Sequence, residues 1–525
     1  MSLLKDLYSI ISASVGNDSS ASLGNDSSAP GSNDSSASFR ICLNPCSIIF
    51  KAHFPGMPIL PGACITQIVL ELYQHWEKCE AEIVKIANLK FLSVISPSAV
   101  PQLDVTIEKT KTSGSLTHIK ASVENDGLCY SKMSLVIINN NALNTMEQNN
   151  KFDDIRPYYS DEVPAAMQRI AESDGFPIVA SYVFPDQDIK QLRAMVAGLK
   201  TTEEFQSKVM AQFNEQVIKR SITEFTVEGM DKLQKDVPYL YVSNHRDIVL
   251  DSSLLQYKLH THGFQTTEIT FGANLMSTPL IIDIGKSNKM FRVERGGTPK
   301  EFYRCSMHLS EYIRHVITEK HSSVWIAQRN GRTKDGHDKT DQGIIKMFGM
   351  SYTDDKIQSL ASLNIVPVSV SYEWESCDYL KTFELYISRQ QKYIKRPGED
   401  VTSILTGITQ PKGRVHFEIC PAITREELAA LDSLTANEYH QQVARLIDQR
   451  INSHYRLWPN NYIAHDMLYG QTTHRDRYTE QEKQAFIEHM AVLDRMALLE
   501  IYGVTDLDAL HDIFLGIYAH PVDHQ

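Results

Sequence analysis

The sequence predicts two different folds in one chain. An α+β domain spans 1–138, and an α/β domain with a mainly parallel sheet spans 236–460. Helical additions flank the second domain at 155–235 and 475–525. Three observations predict this. One apolar-periodic helix at 61–79 is followed by alternating apolar–polar runs separated by turn residues, the period-2 signature of antiparallel strands. A polar tract with Asn runs, "NNNALNTMEQNNKFDD" (139–154), has no apolar period and reads as a linker. Beyond it, short apolar runs alternate with helical stretches, as in a parallel sheet.

The elements follow in order. "LYSIISAS" and "ASFRICLNP" read as strands. Between them, "NDSSA" recurs from Asn17, Asn25 and Asn33. That composition cannot bury apolar surface, so 16–38 reads as a disordered, expanded hairpin tip. After the helix come "IVKIANLKFLSVI", "PQLDVTIEKTKT", "LTHIKASVEN" and "GLCYSKMSLVII", which bring the first domain to about six antiparallel strands. Residues 155–235 carry helical periodicity throughout. "YLYVSN" (239–244), "EITFGA" (268–273), "SVWIAQ" (323–328) and "NIVPVSVSYE" (364–373) then read as strands. The final segment, with "TEQEKQAFIEHMAVLDRMALLEIYG", has an apolar stripe at helical spacing.

The charge balance narrows the function. A formal net charge of −12 argues against binding nucleic acid through a general positive field, though local basic pockets remain compatible with it. No apolar run reaches membrane-spanning length. The start, "MSLLKDLYSIISAS", is not read as a signal peptide. The expectation is a cytoplasmic protein, with any membrane contact peripheral and on the inner face. The 8 cysteines form no C-x-x-C pair and read as free thiols. No dinucleotide fingerprint, P-loop or metal-ligand spacing is found, so no cofactor and no metal is expected.

Two stretches carry chemistry. In "HFPGMPILPG" (53–62), two prolines and two glycines fix a tight path after His53. Gly62 opens the helix, where unpaired N–H groups and the dipole suit a thioester oxygen gaining negative charge. His53 is placed to act as a base. The motif and its helix resemble the 3-hydroxyacyl-ACP dehydratases of the hotdog fold, over roughly 1–138. The resemblance implies a hotdog domain that dimerises, with the His of one subunit facing an acid on the other subunit's helix, fourteen residues after its own His. Here that position holds Gln67, which cannot donate or take a proton near neutral pH. Glu71 lies one helical turn further, about 6 Å along the axis. An active dehydratase and an acyl-binding remnant both stay open.

In "SNHRDIVLD" (243–251), a His ends a buried strand with carboxylates close behind, where α/β enzymes place chemistry. His245 is the candidate base. Asp251, or alternatively Asp247, would fix its tautomer, and Asp251 is favoured because it opens the following helix. "NKMFRVERGG" (288–297) adds Arg292 and Arg295, and "WIAQRNGRTKDG" (325–336) adds Arg329, Arg332 and Lys334 in loops after strands, natural ligands for phosphate. The order of these blocks resembles the glycerolipid acyltransferases of the glycerol-3-phosphate and lysophosphatidic acid type, over about 155–460, with blocks at 244–251, 291–295, 328–333 and 366–370. The wording is nearest to bacterial glycerol acyltransferases. The resemblance implies that His245 deprotonates an acceptor hydroxyl, which attacks an acyl thioester, while Arg295, Arg329 and Arg332 hold the acceptor's phosphate. Two departures stand out. Five residues, not four, separate His245 from Asp251, and Asn330 occupies the place of a Glu in the third block.

The expected function is acyl transfer from acyl-ACP or acyl-CoA to a hydroxyl of a lipid or phosphate-bearing acceptor. The first domain would bind or dehydrate the same chain through His53, Gly62 and Gln67. A dehydratase of a fatty-acid or polyene pathway and a non-catalytic scaffold are the alternatives.

Overall fold

The computed structural model describes residues 6–16, 35–47, 49–50, 58–77, 81–113, 116–139, 151–276, 278–294, 296–352, 354–396 and 398–525. The chain divides into two units, Met1–Asp153 and Asp154–Gln525.

The first unit is a six-stranded antiparallel sheet with one long helix, as expected. The strands are β1 (Tyr8–Gly16), β2 (Ser36–Leu43), β3 (Ala81–Phe91), β4 (Gln102–Ser113), β5 (Leu116–Asn125) and β6 (Leu128–Asn139). Their order in the sheet is β1-β2-β4-β5-β6-β3. The helix, Gly62–Glu77, buries Ile65, Ile68, Val69, Leu72 and Tyr73 against Phe39, Ile41, Val105 and Leu135 of the sheet. Those helix positions recur at three- and four-residue intervals, while β2 alternates buried and exposed residues, so each element presents one apolar face. β1 and β2 pair antiparallel, from Tyr8 opposite Leu43 to Gly16 opposite Ser36.

This pairing corrects the limits of the expected insertion. Gly16 and Ser36–Ser38 are strand, because β2 also pairs with β4 there and buries Ala37. Most of the repeat, and the 140–150 part of the linker, lie outside the described residues. β3 is an edge strand with two register shifts, and it leaves Val84, Ile86 and Phe91 exposed.

The second unit is built on a seven-stranded sheet of β7 (Ile222–Glu228), β8 (Leu240–Ser243), β9 (Glu268–Gly272), β10 (Met290–Val293), β11 (Val324–Ala327), β12 (Ile365–Tyr372) and β13 (Gly413–Ile419). The order is β10-β9-β11-β8-β12-β13-β7, parallel except where β12 meets β13. β8, β11 and β12 are buried along their length, as strands covered on both faces must be. β7 corrects the purely helical reading of 155–235. Its "ITEFTVE" is too short and too polar to stand out by pattern, and pairing with β13 makes it a strand. Helices from Val163 to Phe205 form one satellite core, and the C-terminal helices form another around Phe486, Phe514 and Tyr518. No helix among the described residues is long and apolar enough to cross a membrane. None of the seven described cysteines is in a disulfide.

Candidate active site

The chain leaves β8 at Ser243 and turns at once into the helix Leu250–Thr261. Asn244 secures the turn. Its amide donates to the Val370 carbonyl at 2.9 Å and accepts from the Val370 N–H at 2.8 Å, tying the end of β8 to β12. His245 follows, 8% exposed, with Nδ1 3.0 Å from Asp251 Oδ2. Asp251 is fully buried, and the same oxygen accepts the N–H groups of Arg246 at 2.7 Å and Asp247 at 2.9 Å. The Tyr372 hydroxyl donates to the other oxygen at 2.8 Å. Burial, then the Asp251 and Asp247 charges, push the Tyr372 phenol well up, so it stays a donor. These donors occupy both oxygens of Asp251 at the first turn of the helix, where the dipole favours an acidic side chain.

The extra residue between His245 and Asp251 is therefore absorbed by the turn. Asp247 is occupied elsewhere: Oδ1 accepts the N–H groups of Val249 and Leu250, both at 2.8 Å, and Oδ2 accepts from the Ser376 hydroxyl. It caps the first N–H groups of the helix, and no hydrogen bond joins it to the His245 ring among the described residues. His245 Nε2 has no hydrogen-bond partner among the described residues, and the ring lines a cleft together with Thr270, Trp325, Arg332 and Lys334.

The loop after β11 reaches the same cleft. Gly331, at φ +76°, turns the chain in the left-handed region, and the Thr333 N–H then donates to the His245 carbonyl at 2.7 Å. This places Arg332 beside His245. Arg332 is 9% exposed, and its Nη1 is buried with no hydrogen-bond partner among the described residues. A guanidinium in that state is set to receive an anion. Around it, Lys395 pairs with Asp400 at 2.5 Å and Lys334 with Glu384. Burial pushes the Asp400 carboxyl up, but Lys395, Asn274 and Arg332 outweigh it and hold it below the usual range.

The other predicted basic residues part company. Arg329 lines a neighbouring, largely apolar cleft with Phe302, Leu309, Ile344 and Met347, which shares Thr270 and Ala327 with the His245 cleft. Arg292 lines that second cleft too and pairs with Glu294 at 2.6 Å, an exposed ion pair of the ordinary surface kind. Arg295 lies outside the described residues.

Residues missed by the sequence reading hold the site together. Arg246 is 1% exposed and bridges Asp338 at 2.6 Å and Glu375 at 3.3 Å, with Lys381 completing the network on Glu375 at 2.5 Å. Burial works against the Arg246 charge, but Asp338 and Glu375 outweigh it. Asp338 also accepts from Asn244 at 2.9 Å and Thr333 at 2.7 Å, so the loops after β8 and β11 share one anchor. Tyr372 could have been suspected as the one phenol in the apolar run of β12, since a buried hydroxyl needs a partner.

In the first unit, His53 lies outside the described residues. Gly62 begins the helix, and a Cβ there would stand 2.5 Å from the Phe91 ring, so the small residue allows the ring to cover the helix start. Gln67 does not stand alone. Its Nε2 donates to Glu71 Oε1 at 3.2 Å, while the Tyr8 hydroxyl donates to Oε2 at 3.3 Å. Glu71 is 8% exposed, so this helix does bury a carboxylate, one turn beyond the expected position.

Comparison with known proteins agrees with this division. Residues 29–130 match the family described as ApeI-like, ApeI dehydratase, and residues 224–371 match the family described as Acyltransferase. Over 95 residues the chain is 27% identical to 3-hydroxyacyl-(acyl-carrier-protein) dehydratase FabZ of Lactobacillus helveticus, a match spanning 17% of this chain and 64% of that relative. The FabZ of Ligilactobacillus salivarius is also 27% identical, over 17% of this chain and 69% of its own length. Among solved structures, the dehydratase heterocomplex ApeI:P of Xenorhabdus doucetiae is 20% identical, covering 20% of this chain and 88% of that one, with a TM-score of 0.17. The chain thus joins an ApeI-like hotdog dehydratase domain, within residues 29–130, to an acyltransferase-family domain, within residues 224–371.

Proposed function

We propose that the protein transfers an acyl group from an acyl thioester, carried by acyl carrier protein, to a hydroxyl of a phosphate-bearing, glycerolipid-like acceptor. The observation that carries this reading is the His245–Asp251 pair, at 3.0 Å, facing a cleft that also holds Arg332, whose Nη1 has no hydrogen-bond partner among the described residues. His245 Nε2 takes the acceptor's proton as its oxygen attacks the thioester carbon. Asp251 on Nδ1 keeps the ring in the productive tautomer and stabilises the imidazolium that forms. The tetrahedral intermediate collapses, the C–S bond breaks, and the imidazolium returns its proton to the departing thiolate. Arg332 binds the acceptor's phosphate. The apolar neighbouring cleft, with Arg329 at its side, suits the acyl chain. The hotdog domain binds the same acyl chain, with His53, Gly62 and Gln67 around the thioester, and pairs with a second copy through the exposed β3 edge. The acyl carrier protein reading draws on the name of the FabZ relatives. Any membrane contact is peripheral.

A second reading, dehydration of 3-hydroxyacyl thioesters, is favoured by one observation: the buried Glu71 carboxylate touching Gln67. Mass spectrometry of 3-hydroxyacyl-ACP incubated with the protein and a membrane lipid extract separates the two. A bare carrier with a new acylated lipid, lost in His245→Ala, supports transfer. An acyl group that stays on the carrier but loses one water, and keeps its water in Glu71→Gln, supports the lyase.

A further inference from the structure

The helix Pro459–Leu468 carries His465 and Asp466 near its end, and the loop after it returns His474 against them. The two imidazole rings lie 4.9 Å apart between centroids. One donor atom each from His465, Asp466 and His474 lies within 4.8 Å of the other two. Spacing along the chain does not predict this cluster, because the loop after Leu468 brings His474 back to the helix.

Three features single it out. Nδ1 of His465 is buried and has no hydrogen-bond partner among the described residues. Its other nitrogen, Nε2, faces Asp523 Oδ1 at 3.2 Å, and Asp523 is itself held by the Tyr469 hydroxyl at 3.0 Å. A carboxylate on one imidazole nitrogen fixes the tautomer and turns the lone pair of the other inward, as the outer partners of metal-bound histidines do. Asp466 is 3% exposed. Its carboxylate accepts the backbone N–H of His474 at 3.2 Å on both oxygens and the Tyr478 hydroxyl at 3.0 Å, but it forms no ion pair among the described residues. A buried carboxylate beside a buried imidazole nitrogen would ordinarily satisfy both by hydrogen-bonding to it. Here a ring nitrogen of His465 and the Asp466 carboxylate lie within 4.8 Å, and no hydrogen bond joins the two side chains among the described residues.

We propose that His465 Nδ1, an Asp466 carboxylate oxygen and a ring nitrogen of His474 form a structural zinc site, with a water in the fourth position. Two imidazoles and one carboxylate suit zinc. Zinc bonds of about 2.0–2.2 Å set tetrahedral donors about 3.4 Å apart, so donors within 4.8 Å of one another close by up to about 1.4 Å on binding. His474 sits at the end of an exposed loop that can make this movement, and the same loop gives the ion a route in. The ion would supply the charge that Asp466 lacks. It would clip the Pro459–Leu468 helix to the turn at Arg475–Arg477 and, through Asp523, to the C-terminal turn at Val522–His524.

The test uses the full chain, stripped with EDTA and dialysed against zinc chloride. Elemental analysis is expected to give one equivalent of zinc, and the melting temperature is expected to rise with it. His474→Ala is expected to lose that equivalent, while His511→Ala, a surface histidine paired with Asp494, keeps it. No stoichiometric zinc on the wild type, or undiminished zinc on His474→Ala, overturns the site. Cobalt substitution of the wild type decides the matter should His474→Ala not fold. A d–d spectrum without a thiolate charge-transfer band is expected, and a thiolate band would put the metal on cysteines instead and refute the assignment.

Discussion

Replacing Asp251 with Asn tests the proposed chemistry at its centre. One oxygen of Asp251 faces three N–H groups, from His245, Arg246 and Asp247, and the other faces the Tyr372 hydroxyl. Asn can keep its carbonyl toward the three donors and turn its NH₂ to Tyr372, which then accepts. The fold should survive, because each bond keeps a partner. What disappears is the charge beside the imidazolium that forms during transfer. Two unit charges about 4 Å apart in a medium of effective dielectric about 20 attract by about 4 kcal/mol. At about 1.4 kcal/mol per decade, the loss is roughly 10³-fold in the transfer rate. The assay is thiol release from an acyl thioester in the presence of acceptor, compared with Asp247→Asn. Asp247 caps backbone N–H groups, a role Asn fills well, so that variant should stay within about tenfold of wild type. Asp251→Asn within tenfold of wild type, or Asp247→Asn as damaged as Asp251→Asn, would refute the assignment.

Three further outcomes follow from the same structure. Arg332→Met removes a charged donor that awaits a partner, so kcat/KM for a phosphate-bearing acceptor should fall about 10- to 100-fold while a phosphate-free alcohol changes little, read from paired steady-state assays. Lys412 is fully buried, and desolvation depresses its ammonium from 10.5 to about 8. The unfolded chain then holds a proton that the folded chain releases between those values, so wild-type stability should gain on Lys412→Met as pH rises from about 8 toward 10.5 and show no such gain below 8, measured by urea unfolding at several pH values. If the proposed pairing through β3 holds, light scattering should give a dimer for the wild type and a monomer for Ile86→Lys, and a monomeric wild type or an unchanged mass in the variant would remove β3 from the interface.

Local chemistry determined much of this protein. Periodicity placed the Gly62–Glu77 helix and its antiparallel strands, because a half-buried sheet and a one-faced helix write their burial into consecutive residues. The buried parallel strands β8, β9, β11 and β12 were legible as apolar runs, and His245 as a residue at a strand's carboxyl end. The helix start likewise favoured Asp251 over Asp247. Where sequence alone fell short, the deciding contacts join residues far apart in the chain. β7 is a strand because β13 lies beside it, Ile222 pairing with Gly413 across a long stretch of chain, and its own seven residues carry no strong signal. The separation of Arg332 from Arg329 rests on the turn at Gly331 and the Thr333 bond to the His245 carbonyl, not on their charge. Glu71 was seen as one turn from the expected acid, and its bond to Gln67 is a local contact along one helix, but its bond to Tyr8 depends on β1 packing against that helix. Pattern reports which face of an element is buried. Which buried polar groups meet on that face is decided by tertiary packing, because hydrogen bonds and ion pairs act over a few ångströms of space regardless of distance along the chain.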